Sequence, residues 1–100
     1  MPISPASQHS IDAFIDALWL EDGLSKNTLA AYRRDLTLYG VWLSSQGLAQ
    51  GEIDRTCEAD LNAYFAFKHE ASKATSANRR LTVLKRYFRW ALRERRLTQD

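Results

Sequence analysis

Three arginines spaced by seven, Arg79, Arg86 and Arg93, carry the most distinctive chemistry in this sequence. A guanidinium is planar, permanently charged and armed with five N–H donors, which suits it to phosphate and carboxylate oxygens. At about 100° per residue, positions seven apart on a helix nearly coincide in angle. Thr75, Thr82 and Arg89 fall on the same side as the three arginines. Ala77, Leu81, Leu84, Phe88, Ala91 and Leu92 fall opposite, so residues 73–96 read as one long helix with a core face and a basic face. A rod of guanidinium groups fits a polyanion, and a duplex major groove is wide enough to admit a helix. The bland alternative is a solvated face, but such a face normally mixes both signs. From Lys73 onward the chain has nine Lys/Arg and two acids, whereas residues 1–72 have five and ten. The net charge of +2 therefore hides a basic C-terminal third set against an acidic remainder.

Three further helices are expected to position that face. Ser10 is the expected cap of the first, with Ile11, Phe14, Ile15 and Leu18 on its buried side and Asp12, Asp16 and Glu21 pointing away. Residues 1–9 read as a disordered leader. Gly23 is the stop signal, with Leu24 folding back. Ser25 caps the second helix, residues 26–45, whose core face is Leu29, Tyr32, Leu36, Tyr39 and Leu43. Gly40 in its middle points to a close helix approach. Leu38 and Trp42 suggest a second contact face, and Asn27, Ala30, Arg34 and Thr37 form a polar sector with small side chains, open either to solvent or to a ligand. Gly47 and Leu48 repeat the stop signal. Residues 50–56 read as a loop anchored by Ile53. Thr56 is the expected cap of the third helix, with Glu58 and Asp60 in its first turn and Cys57, Leu61, Tyr64 and Phe65 buried. Ser72, Thr75 and Ser76 are all cap candidates for the fourth. No stretch alternates at period two, so the fold class is all-α with four helices.

Other chemistries are poorly served. The single Cys57 allows no internal disulfide and fits a reducing cytoplasm. No apolar run approaches the roughly 20 residues of a membrane span, and the N-terminus lacks the pattern of a signal peptide. His9 and His69 have no partners at metal-ligand spacing, and no phosphate loop or Ser/His/Asp pattern occurs. Tyr32, Tyr39, Tyr64 and Tyr87 lie on or beside apolar faces. Trp90 lies nearer the arginine side than the core side, so it either packs under a neighbouring segment or is exposed for a partner.

The stretch Leu24–Leu36, LSKNTLAAYRRDL, resembles the N-terminal core-binding domain of tyrosine site-specific recombinases. FIDALWLE before it, Trp42, Leu43 and Gly47 after it, and KATSANRRLTVLKRYF at Lys73–Phe88 fit the same pattern. The FIDALWLE start points to the Xer subgroup, and within it to the type that works beside a XerC-type partner. The resemblance spans about residues 11–97. It implies a four-helix bundle like the sterile alpha motif (SAM-like), forming one half of a clamp around a duplex recombination half-site. The second and fourth helices would cross the major groove. Carried over by position, Lys26, Asn27, Ala30 and Arg34 of helix two face DNA, as do Lys73, Thr75, Ser76, Arg79, Thr82 and Arg86 of helix four, and Arg89 joins them from the basic face. Residues 10–97 are then the DNA-binding domain and 98–100 the start of a linker to a catalytic domain that carries the nucleophile. The resemblance implies no catalytic residue, metal or cofactor here. It implies a monomer for the isolated domain, and for the longer protein a tetrameric synapse that resolves chromosome dimers. On this reading, replacing Arg79 and Arg86 by alanine reduces binding and leaves the helical signal and melting temperature nearly unchanged. The competing class is a protein-interaction module whose basic helix docks an acidic partner, with Trp90 as anchor.

Overall fold

The computed structural model describes residues 3–68 and 74–97, with the backbone alone at 74–76. Helix α1 spans Pro5–Ala17. It starts well before the expected boundary, because Ser4 and Pro5 carry a start signal of their own. The Ser4 side chain accepts a hydrogen bond from the Ser7 amide at 3.1 Å, and Pro5 occupies the first turn, where a missing N–H costs nothing. The described part of the expected leader is therefore ordered into the fold. Ser7 is only 1% exposed; its hydroxyl accepts from the Ile53 amide at 2.8 Å and donates to the Gly51 carbonyl at 3.3 Å. Ser10 does not cap; it lies inside the helix and donates to the Asp54 carboxylate. Ile11, Phe14, Ile15 and Leu18 are buried as their spacing requires. A π-helical turn, Leu18–Asp22, follows and turns Trp19 and Leu20 outward, and Gly23 ends it with φ of 63°.

Helix α2 spans Lys26–Gln46, and Ser25 caps it by accepting from the Thr28 amide at 3.2 Å. At its end Gly47 turns left-handed with φ of 66° and the Leu48 amide reaches back to the Leu43 carbonyl at 3.1 Å. Gly40 does mark a close approach, but not by a neighbouring helix. An added methyl there would lie 2.7 Å from Ile3 Cδ1, so the chain just before α1 occupies the space. Trp42 is buried, whereas Leu38 remains exposed instead of joining a second contact face.

Two short 3-10 turns, Ala49–Gly51 and Ile53–Arg55, lead to helix α3, Glu58–Lys68, with Ile53 fully buried. Thr56 is not the cap. Its hydroxyl pairs with that of Tyr39 at 2.9 Å, while the Asp60 carboxylate accepts from the Cys57 amide at 3.0 Å and so serves the start of α3. Asp60 and Tyr64 face inward, and Cys57, Leu61 and Phe65 are half-buried. Helix α4 spans Ala74–Arg93. His69, Ser72 and Lys73 lie outside the described residues, as do the side chains of Thr75 and Ser76 and residues 98–100.

The interior is rich in aromatic rings. Tyr39, Tyr64, Tyr87 and Phe14 are essentially fully buried, with the Tyr39 and Tyr64 centroids 4.8 Å apart and the Phe14 and Tyr87 centroids 5.2 Å apart. The Tyr87 hydroxyl donates to Asp54, which also accepts from Ser10, so one carboxylate ties α4 and α1 to the second 3-10 turn. Burial, then this carboxylate, pushes the Tyr87 phenol far above its ordinary range; burial does the same to Tyr39. Helix α2 packs against both α1 and α4 and is the centre of the bundle.

Helix α4 is turned relative to its expected orientation. Val83, Leu84, Tyr87, Trp90 and Ala91 are its buried residues, whereas Leu81 and Leu92 are 40% and 55% exposed. The large rings at 87 and 90 take the interior and rotate the aliphatic stripe partly into solvent. Ala77 and Phe88 end up half-buried at the edge.

Candidate nucleic-acid interface

Residues 74–93 contain no acid, so nothing within α4 neutralises its cations. With the helix turned as it is, Asn78, Arg79, Thr82, Lys85, Arg89 and Arg93 are exposed along it. The expected rod of free guanidinium groups is nevertheless only partly realised. Arg79 is gripped from α2: its Nε lies 2.8 Å from Asp35 Oδ2 and its Nη2 3.1 Å from Oδ1. Asp35 is 4% exposed, while the Arg79 side chain keeps 42% of its surface open. The hydrogen bonds that Arg79 donates to Asp35 raise its pKa further and leave the group charged at any relevant pH. Arg86 is half-buried. Its guanidinium carbon sits 5.9 Å from the centroid of the Tyr32 ring, and its Nη1 is enclosed without a hydrogen-bond partner among the described residues. Arg93 Nη2 lies 3.5 Å from Glu21 Oε2 at the end of the π-helical turn. Lys85 and Arg89 are thus exposed cations of α4 that make no ion pair among the described residues.

The expectation that Arg79 and Arg86 can be truncated without touching the fold does not suit this geometry, since truncation would strand a buried carboxylate. The sequence reading also passed over Asn78 and Lys85. The signal was present: Val83, Tyr87 and Trp90 recur at spacings of four and three, and weighting those bulky residues over Leu81 and Leu92 places Lys85 on the outer side.

On α2, Lys26, Asn27, Ala30 and Arg34 are all exposed and Thr37 is half-exposed. Arg33, next to them, is turned toward α1 and pairs with Asp12, whose carboxyl it holds below the usual range. The α2 sector begins in the first turn of the helix, fixed there by the Ser25 cap. Two side-chain contacts, Asp35 to Arg79 and Tyr32 to Arg86, join the helix that carries this sector to the helix that carries the basic face. Trp90 is not available as an anchor. It is 8% exposed, packs 5.4 Å from Phe14 and 5.7 Å from Tyr87 between ring centroids, and is covered by the Arg96 guanidinium at 4.9 Å. The docking-module reading loses its central residue.

Among the described residues, no group of three or more His, Cys, Asp and Glu side chains is placed to hold a metal ion, and no helix is long and apolar enough to cross a membrane.

The family model described as the phage integrase N-terminal SAM-like domain matches residues 11–95. The tyrosine recombinase XerD of Ralstonia nicotianae is 56% identical over 100% of this chain, which covers 32% of that protein. The XerD proteins of Shewanella oneidensis and Proteus mirabilis are 42% and 45% identical over 90% of the chain, which covers 29% and 28% of them. The chain thus spans about a third of the length of the curated relatives it matches. No solved structure matches it. The four helices in this order, the LSKNTLAAYRRDL stretch and the matched span together place the chain in the phage integrase N-terminal SAM-like domain family.

Proposed function

We propose that this chain is the DNA-binding, core-binding part of a Xer-type tyrosine recombinase, laying α2 and α4 against the major groove of a recombination half-site. The observation that carries the reading is an acid-free helix, α4, with Asn78, Thr82, Lys85 and Arg89 open along it, joined to a second helix with an open polar sector. Cations of both helices neutralise phosphates and release counterions. Asn27, Asn78 and Thr82 are of the types that read base edges, and Arg79 suits guanine or phosphate. By the same reading, strand cleavage belongs to the part of such recombinases that this chain does not span. The longer protein works with a XerC-type partner in a tetrameric synapse on a chromosome-dimer resolution site, in the cytoplasm. Anisotropy with a labelled duplex selected by the chain from a random pool tests the binding step. With about five phosphate contacts, the log–log salt slope is roughly −4. A slope near zero would count against groove binding through basic helices.

A further inference from the structure

We propose that Asp35 is a positioning residue for DNA recognition: it holds the Arg79 guanidinium in one orientation from behind, so that Arg79 meets the duplex already set. The inference rests on the DNA-binding reading above and adds a residue that does not itself touch the ligand. Asp35 is 4% exposed and lies on α2, so a duplex has no access to it. Its two oxygens each take one N–H of Arg79, leaving three of the five donors for another partner, on a side chain that is 42% open. A bidentate pair fixes the plane of the guanidinium as well as its place. An arginine on a free stem would lose that rotamer freedom on binding; one already held does not.

A carboxylate beside a DNA-facing helix would otherwise repel phosphates, and its pairing with Arg79 removes most of that penalty. Three residues earlier on α2, Tyr32 lies under Arg86, seven residues beyond Arg79 on α4. Helix α2 therefore backs the basic face at two points about two turns apart, one by charge and one by a ring. The simpler alternative is that Asp35 only glues α2 to α4, and a double-mutant cycle separates the two roles.

Asp35→Asn, Arg79→Gln and the double variant are compared with the unmodified chain at a temperature where circular dichroism shows each fully helical. If Arg79→Gln melts too low, Arg79→Lys takes its place. The probes are a duplex selected by the chain from a random pool and a shuffled version of it. Asp35→Asn is expected to weaken binding to the selected duplex by about fivefold and to the shuffled one by less than about twofold. In the Arg79→Gln background, Asp35→Asn should weaken neither duplex and should strengthen both alike, because it removes a carboxylate that has lost its partner. Equal loss on both duplexes, or the same loss with and without Arg79, would overturn the positioning role and leave Asp35 as a structural link. If the unmodified chain neither distinguishes the duplexes nor responds to salt, the DNA-binding reading itself fails and the positioning role falls with it.

Discussion

Arg79→Ala strips two hydrogen bonds from a carboxylate that is almost wholly enclosed. A buried charge left without its partner is costly, and the half-open arginine moderates the figure to about 2 kcal/mol. For a chain of this size that lowers Tm by roughly 8–15 °C, measured by circular dichroism. Adding Asp35→Asn should recover part of the loss, because a neutral amide is cheaper to bury. Lys85→Ala and Arg89→Ala make a contrasting pair. Both side chains are exposed, so each variant should melt within about 0.5 kcal/mol of the unmodified chain. Each should still lose severalfold in duplex affinity at moderate salt. Unchanged affinity in both would show that α4 does not face DNA through its open cations.

Most of the boundaries were legible because they rest on local chemistry. Ser25 before α2, Gly23 and Gly47 at helix ends, and the i, i+3, i+4 spacing of Ile11, Phe14 and Ile15 all act within a turn or two. What escaped depends on distant partners. The hydroxyl of Thr56 had two possible uses, and only the arrival of Tyr39 decided between them. The orientation of α4 differs from that expected because periodicity gives equal weight to Leu81 and Tyr87, whereas packing favours the larger ring and offers Tyr87 a partly buried hydrogen bond to Asp54. The early start of α1 has a local signal in Ser4 and Pro5, but the burial of Ser7 that holds it makes sense only when Gly51 and Ile53 lie against it. Removal of residues 1–9 should therefore lower Tm by several degrees, where a loose leader would cost nothing. Ser7→Ala alone should cost about 1–3 kcal/mol by leaving the Ile53 amide unpaired.

At the scale of the whole molecule, buried phenols and separated charge give two different signatures. The folded state holds Tyr87 and Tyr39 neutral well above their ordinary pKa, while the unfolded chain releases those protons near pH 10. Their contribution is complete below about pH 10 and is lost as pH rises beyond it, so tyrosinate absorbance should appear together with loss of helical signal. Ionisation of Tyr39 or Tyr87 in a fully helical protein would contradict their burial in the core. The separation of charge was legible in composition, since the last third of the chain is basic and the rest acidic. Composition did not reveal that two of the basic groups, Arg79 and Arg86, are engaged by α2. The most direct test of the groove-binding role is the affinity of the chain for its selected duplex as a function of salt. It should fall steeply, with a log–log slope of roughly −4 that shrinks by about one unit in Lys85→Ala or Arg89→Ala. An affinity indifferent to salt, or a slope unmoved by either change, would contradict it.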